Sequence, residues 1–199
     1  MVKDEIIEHL KYTERDGIDQ LITYMDGNGF FTAPCSGQYH LSEEGGLAEH
    51  SLNVENIMFQ MAIGVGYTAP WAKDGDLTEI DKSIVIVSLL HDLGKMGQFG
   101  KANYIPNMVK SRKKNEDVIQ STAKPFKTNP ELLAVPHEIR SIQTANKFIE
   151  LTEEENFAIL YHNGMYGDLK YQLSGKERPL QMLLHFADMW ASRVIEKED

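Results

Sequence analysis

The run Ile84 to Lys95, IVIVSLLHDLGK, constrains this chain more than any other stretch. From Ile84 to Leu90 it is apolar except for Ser88, so a helix built from it is hydrophobic on every side and belongs in an interior. His91 and Asp92 follow at its end, which delivers an imidazole and a carboxylate side by side into that interior. Ionisable groups placed there are costly unless they are paired or bind a metal. Gly94 reads as the helix stop. Lys95, one turn past His91, is placed to reach whatever the pair holds. If the pair holds a cation, further histidines and carboxylates should sit on buried faces of other helices.

They do. Apolar periodicity predicts helices over 2–12, 16–26, 47–63, 78–93, from Pro136 to about 149, over 153–162, and a last one opened by Pro179. Thr78 with Asp81, and Thr152 with Glu155, have capping-box spacing. Gly45-Gly46 lets the backbone turn sharply into the third helix. His50 shares a stripe with Leu47, Val54, Ile57 and Met61. His137 opens the Pro136 helix on a face with Ser141, Thr144 and Phe148. His162 ends a helix in YHNG, and Asp188 interrupts the apolar stripe Leu184, Ala191, Ile195. Taken singly, each is as well read as a satisfied core residue. Together, His50, His91, Asp92, His137, His162 and Asp188 stand near buried helix ends in five successive helices. Imidazoles and carboxylates without thiolates suit Fe, Mn, Co, Zn or Mg rather than a structural zinc. Six ligands exceed what one ion needs if it keeps water positions open, and a two-ion site bridged by a carboxylate uses them all.

Charge narrows the partner. The chain carries a net −10, which argues against general nucleic-acid binding. Residues 94–130 nevertheless hold eight basic side chains against Glu116 and Asp117, so this segment is +6 and the remainder −16. A basic segment leaving the His91-Asp92 corner points to a small anionic substrate, and a solvated loop without a ligand is the plain alternative. Lys101, Arg112 and Arg140 are candidate substrate contacts, with His40 before the Gly-Gly turn as a fourth. The segment is long for a connection in a compact domain. Tyr104-Ile105 and Val118-Ile119, flanking a polar turn at 113–116, predict a small β-hairpin. Phe99, Tyr104 and Phe126 interleave with its basic residues and serve either to stack a base or to pin the loop.

At 199 residues with 42% hydrophobic content, one domain over 1–199 is expected, with N-terminal helices in 1–29 and the metal-binding core over 40–195. The expected class is all-α, with the hairpin as an insertion in 95–130. The lone Cys35 leaves no internal disulfide and suits a reducing, cytoplasmic setting. No stretch approaches the ~18–20 apolar residues of a membrane span, so no membrane partner is expected. The start, MVKDEIIEHLKY, has no signal-peptide apolar core. His9 reads as a surface residue. His185, one turn before Asp188, reads either as core packing or as an orienting hydrogen bond. Trp190 and Tyr166 are candidates for a contact between copies of the chain in a homo-oligomer.

The pattern H…HD…D, here His50, His91-Asp92 and Asp188, resembles the HD-domain superfamily of metal-dependent phosphohydrolases over about residues 40–195. HLSEEGGLAEHSLNV, leading into His50, is similar to the Gly-Gly-Leu approach of several HD hydrolases, including a group of 3′–5′ exoribonucleases. HDLGK is close to the family's HD-x-Gly-Lys form. His137 in PHEIRS and His162 in YHNG match the two extra histidines of binuclear subgroups, which include cyclic-dinucleotide phosphodiesterases and a diadenosine-tetraphosphate hydrolase family. From FFTAPCS to ADMWAS the chain is similar to short HD hydrolases of Firmicutes and their phages.

The resemblance implies one ion held by His50, His91, Asp92 and Asp188, and a second by Asp92, His137 and His162. It implies hydrolysis of a phosphoester or phosphoanhydride bond in a nucleotide or similar small phosphate by a metal-bridging hydroxide, with Asp92 bridging and Lys95 on a phosphate oxygen or the leaving group. The ions expected are Fe or Mn, or Zn, Ni or Co as purified. Two other readings share these residues. Some HD relatives use the same six ligands to hold an iron pair and activate oxygen, and a non-catalytic nucleotide-binding module is the third.

Overall fold

An apolar run that must be covered on all sides needs helices around it, and the chain supplies them. The computed structural model describes residues 1–70, 77–111 and 118–197. Helices α1 (Val2–Tyr12), α2 (Ile18–Gly27) and α3 (Gly46–Gly64) precede α4 (Glu79–Leu90), which continues into a 3₁₀ turn at Leu93–Met96. Among the described residues six short strands follow: β1 (Gly97–Gln98), β2 (Lys101–Ala102), β3 (Tyr104–Pro106), β4 (Met108–Lys110), β5 (Val118–Gln120) and β6 (Phe126–Thr128). The chain then returns to helix in α5 (His137–Ala145), α6 (Glu153–Leu160), α7 (Lys170–Leu173) and α8 (Pro179–Trp190), and α8 runs on into a π-helical turn at Ala191–Ile195. The described residues are mainly helical.

α4 lies against α1, α3, α6 and α8. Ile84, Ile86, Leu89 and Leu90 are fully buried within it, and each contributes about 1.5–3 kcal/mol. The Thr78 hydroxyl accepts from the Asp81 amide at 3.2 Å while the Asp81 carboxylate accepts from the Thr78 amide at 2.9 Å. This cap satisfies free backbone donors at the start of the helix. Thr152 and Glu155 close α6 in the same way, at 3.2 and 2.9 Å.

Several expectations change. The α-helix ends at Leu90 rather than 93, and Gly94 lies inside the 3₁₀ turn with an ordinary backbone instead of stopping a helix. Its small size matters for a different reason: a Cβ there would stand 2.2 Å from the His137 carbonyl oxygen and 2.7 Å from Arg140 Cβ. Gly94 therefore lets the turn carrying Asp92 press against the start of α5. The Gly94 amide donates to Ser141 Oγ at 2.8 Å, and Ser141 Oγ donates to the His137 carbonyl at 2.9 Å, locking that contact.

The second change is register. Tyr104-Ile105 does not pair with Val118-Ile119. β3 pairs with β6, Ile105 opposite Lys127, while β4 pairs with β5, Val109 opposite Ile119. The expected turn at 113–116 lies outside the described residues. The third is Ile195, which is exposed rather than on the inner face of the last helix. Gly45, with φ +83°, makes the sharp entry into α3 that the Gly-Gly pair predicts.

His9 is no free surface residue. Its Nδ1 donates to Glu55 Oε2 at 2.9 Å, and Glu55 is buried beneath α1. The hydrogen bond to Glu55 raises the His9 pKa against the effect of burial, and burial raises that of Glu55. His9→Ala strands a buried carboxylate and should destabilise the protein by about 1–3 kcal/mol. The folded imidazole holds its proton more tightly than the unfolded one, so its contribution is fully present below the unfolded pKa of about 6.5 and fades as pH rises through the folded value. Urea melts of both proteins should show the largest gap near pH 6 and a shrinking one towards pH 9. A gap independent of pH would show that the pair is uncharged.

Candidate metal centre

Five helix ends meet at Asp92. α3 contributes His50 from its second turn, α4 hands over His91 and Asp92, α5 starts with His137, α6 is followed by His162, and α8 carries Asp188. His50, His91, Asp92 and His162 are fully buried or within 1% of it. Asp92 is the hub. Its Oδ2 lies 3.6 Å from His50 Nε2 and 3.5 Å from His91 Nε2, and its Oδ1 lies 3.1 Å from His137 Nε2 and 3.8 Å from His162 Nε2. Asp188 Oδ1 stands 3.3 Å from His50 Nε2.

Every one of the four rings turns the same nitrogen inward, because the other nitrogen is already engaged. His91 Nδ1 donates to the Ser88 carbonyl and His162 Nδ1 to the Ile159 carbonyl, both at 2.8 Å. His50 Nδ1 is held by the Glu196 carboxylate at 2.9 and 3.0 Å. His137 Nδ1 lies 3.3 Å from Glu138 Oε2. Such outer hydrogen bonds fix the tautomer and aim the free nitrogen, which is how histidine ligands are set for a cation.

The inward nitrogens are poorly served by protein alone. His50 Nε2, His91 Nε2 and Asp92 Oδ1 are buried without a hydrogen-bond partner. His137 Nε2 and His162 Nε2 face each other at 3.2 Å, a repulsive approach of two acceptors unless a proton or cation lies between them. Buried unpaired groups cost about 1–3 kcal/mol each. A divalent cation satisfies this set, so the residues fit the metal ions that the sequence pattern implies. His50, His91 and Asp92 bring ligand atoms within 4.8 Å of one another, as do Asp92, His137 and His162, and His91, His162 and Asp188. This buried cluster can hold metal ions.

The protonation pattern agrees. Burial lowers the His91 pKa, and burial together with His91 and His137 pushes His162 down to about 4. Both shifts favour the neutral ring, the form that can ligate a cation. Burial opposes ionisation of Asp92, yet Lys95, His91 and His137 hold it well below the usual carboxylate range. Burial also opposes a proton on His50, but the Asp188 and Glu196 carboxylates raise its pKa well above the ordinary value.

The other predicted contacts divide. Lys95 donates to Asp92 Oδ2 at 2.5 Å and lines the mouth of the cluster. His40 also reaches the mouth, 3.3 Å from Cys35 Sγ, and burial pushes its pKa down to about 4. Arg140 is buried and engaged elsewhere, donating to Asn103 Oδ1 at 3.2 Å and to the Leu133 carbonyl. It ties the ribbon segment to α5 rather than facing the cluster. Lys101 pairs with Glu131 at 3.0 Å and is not part of the cavity walls at the cluster. Arg112 lies outside the described residues. His185 donates to the His162 carbonyl at 2.8 Å, so it steadies the backbone of one ligand rather than Asp188.

Sequence reasoning missed Glu196. It sits in a terminal charge run that reads as solvated, yet it is buried, and Asn53 Nδ2 also donates to its Oε1 at 3.0 Å. Burial works against its charge, but His50 and Asn53 hold its pKa below the usual value. Comparison of the chain with protein-family models, characterised proteins and solved structures returned no match.

Glu196→Ala should weaken divalent-metal affinity about 10–100-fold, measured by competition with a chromophoric chelator. Glu196→Gln, which keeps an oxygen for His50 Nδ1, should recover part of the loss. Equal, wild-type affinity in both variants would rule out an orienting role for this residue.

Proposed function

We propose that this chain is an HD-type, metal-dependent phosphohydrolase acting on a nucleotide or similar small phosphate. The observation that carries the reading is the convergence of four imidazole nitrogens, each with its other nitrogen engaged, on one buried carboxylate. His50, His91, Asp92 and Asp188 would hold one cation, and Asp92, His137 and His162 a second. When bound, such a pair lowers the pKa of a shared water from 15.7 towards neutrality and offsets charge on phosphoryl oxygens.

The chain's own residues do the rest. Lys95 fixes the rotamer of Asp92 through its 2.5 Å contact and presents its charge at the mouth. Burial opposes that charge, but Asp92 keeps the ammonium protonated far above neutral pH, so it is available to a phosphate oxygen throughout the working range. Arg193, also at the mouth, lies 4.5 Å from the Tyr166 ring centroid. That stacking holds the guanidinium in place without using its donors, leaving them for an anion. The mouth, about 170 Å³, is large enough to admit a phosphate group.

Metal-reconstituted protein should release phosphate or a phosphomonoester from a panel of nucleotides, dinucleotides and generic phosphodiesters. His91→Ala/Asp92→Ala should abolish that turnover while its circular dichroism stays helical. Absence of hydrolysis, with about two irons per chain and substrate-dependent oxygen uptake, would replace this reading with an oxygenase. Absence of both, with no metal bound, would leave a binding module.

A further inference from the structure

The mouth is too small to hold a substrate by itself: about 170 Å³, against the ~300–1,000 Å³ of most small-molecule sites. It lies between two larger cavities. On one side, sharing His40, Ser192 and Arg193 as a common wall, is a cavity of about 730 Å³ bounded further out by Gln38, Tyr39 and Lys197. On the other, sharing Lys95, His137, Asn163 and Tyr166, is one of about 440 Å³ that reaches Asn103, Tyr104 and Thr128. His137, His162 and Asp188 line the mouth between them. The reactive face is thus in the middle of a trough, and each flank alone is large enough for an organic group.

The flanks differ in chemistry. The larger wall carries the cations Arg193 and Lys197, while its acidic member, Glu196, is buried and engaged by His50 and Asn53. Tyr39, 73% exposed, offers a free aromatic face there. The smaller flank offers neutral donors and acceptors from Asn103, Tyr104, Thr128 and Asn163; its cation, Lys95, is shared with the mouth and paired with Asp92, while Glu138 and Asp168 also stand on its wall. A second anion is favoured in the first flank and disfavoured in the second.

We propose that the substrate carries an organic arm on each side of the scissile phosphate, an anionic arm against Arg193 and Lys197 and an uncharged, hydrogen-bonding arm among Asn103, Tyr104 and Asn163. This rests on the phosphohydrolase reading and narrows it to internal phosphodiester cleavage. A terminal monoester has one arm and leaves one flank empty. In the reaction the oxygen of water bonds to phosphorus, the P–O bond to one arm breaks, and the departing oxygen takes up a proton. The products are a phosphomonoester and an alcohol, with no reactant other than water.

The test uses the full-length, metal-loaded protein and equilibrium binding by calorimetry. The probes are a slowly hydrolysed phosphorothioate-linked dinucleotide with a 5′-phosphate, the same compound without that phosphate, and a 5′-mononucleotide. Affinity should fall in that order, by about tenfold or more at each step. Arg193→Ala/Lys197→Ala should erase the advantage of the 5′-phosphate, and Tyr104→Ala should weaken both dinucleotides more than the mononucleotide. A mononucleotide that binds as tightly as the dinucleotides, or a double variant that weakens all three alike, would overturn the two-armed site. Turnover of monoesters alone would do the same while leaving hydrolysis standing. The predicted binding order with no ester hydrolysed would keep the two-armed site and sink the phosphohydrolase reading.

Discussion

A carboxylate buried among imidazoles is the interaction on which this structure depends. Removing an ion from water carries a penalty of several kcal/mol even after the protein relaxes. Asp92 recovers part of it from Lys95, whose ammonium donates to Oδ2 at 2.5 Å. What remains uncovered is Oδ1, together with the inward nitrogens of His50 and His91. These unsatisfied atoms cluster at one point, and the apolar mass of α4 and its neighbours offsets them. A cation bound there would satisfy all of them at once, so metal affinity and folding stability draw on the same contacts.

The way each ligand is held follows from helix ends. Backbone carbonyls in the last turn of a helix lack intrahelical donors, and two of the ligand rings supply them: His91 to Ser88 and His162 to Ile159. The same bond that completes the helix end therefore aims the nitrogen. His50 lies one turn into α3, where no carbonyl is free, and Glu196 takes that role instead. Glu196 reaches it because α8 continues as a π-helical turn, a rare geometry found disproportionately at functional sites. The wider turn shifts the inner face by one residue, which puts Glu196 inside and leaves Ile195 exposed.

This explains what could be read from the residues alone. His50 and Asp188 were legible because each interrupts an apolar stripe at helical spacing, and His91-Asp92, His137 and His162 because they stand at the ends of helices whose burial carries the polar group inward. The helices were legible for the same reason, and the two capping boxes because their chemistry is local. Glu196 was not, since regular periodicity points Ile195 to the core and nothing local announces a π turn. Gly94 was read as a helix stop because its real constraint, the approach of α5, is between segments distant in sequence. The strand pairing failed similarly. Segments of two or three residues carry too little alternation to set a register, so β3 takes β6 and β4 takes β5 through contacts no local pattern encodes. Arg140 looked available to a substrate, but it is occupied by the Leu133 carbonyl from the loop before α5 and by Asn103 from the distant ribbon segment.

The balance of nitrogen over oxygen donors has a consequence for what can approach. Imidazole ligands add no negative charge, so two divalent cations would bring more positive charge than Asp92 and Asp188 can cancel, with Lys95 adding to the excess. The remainder of the chain outside residues 94–130 is strongly acidic. Field lines from a buried positive centre would then emerge chiefly through the mouth, where Arg193 and Lys95 stand. An acidic exterior repels long polyanions, which meet much of the surface at once, but a small anion can enter the trough without crossing it. With both cations bound, this placement of charge, excess negative outside and excess positive at one opening, would favour a small anion over a long polyanion.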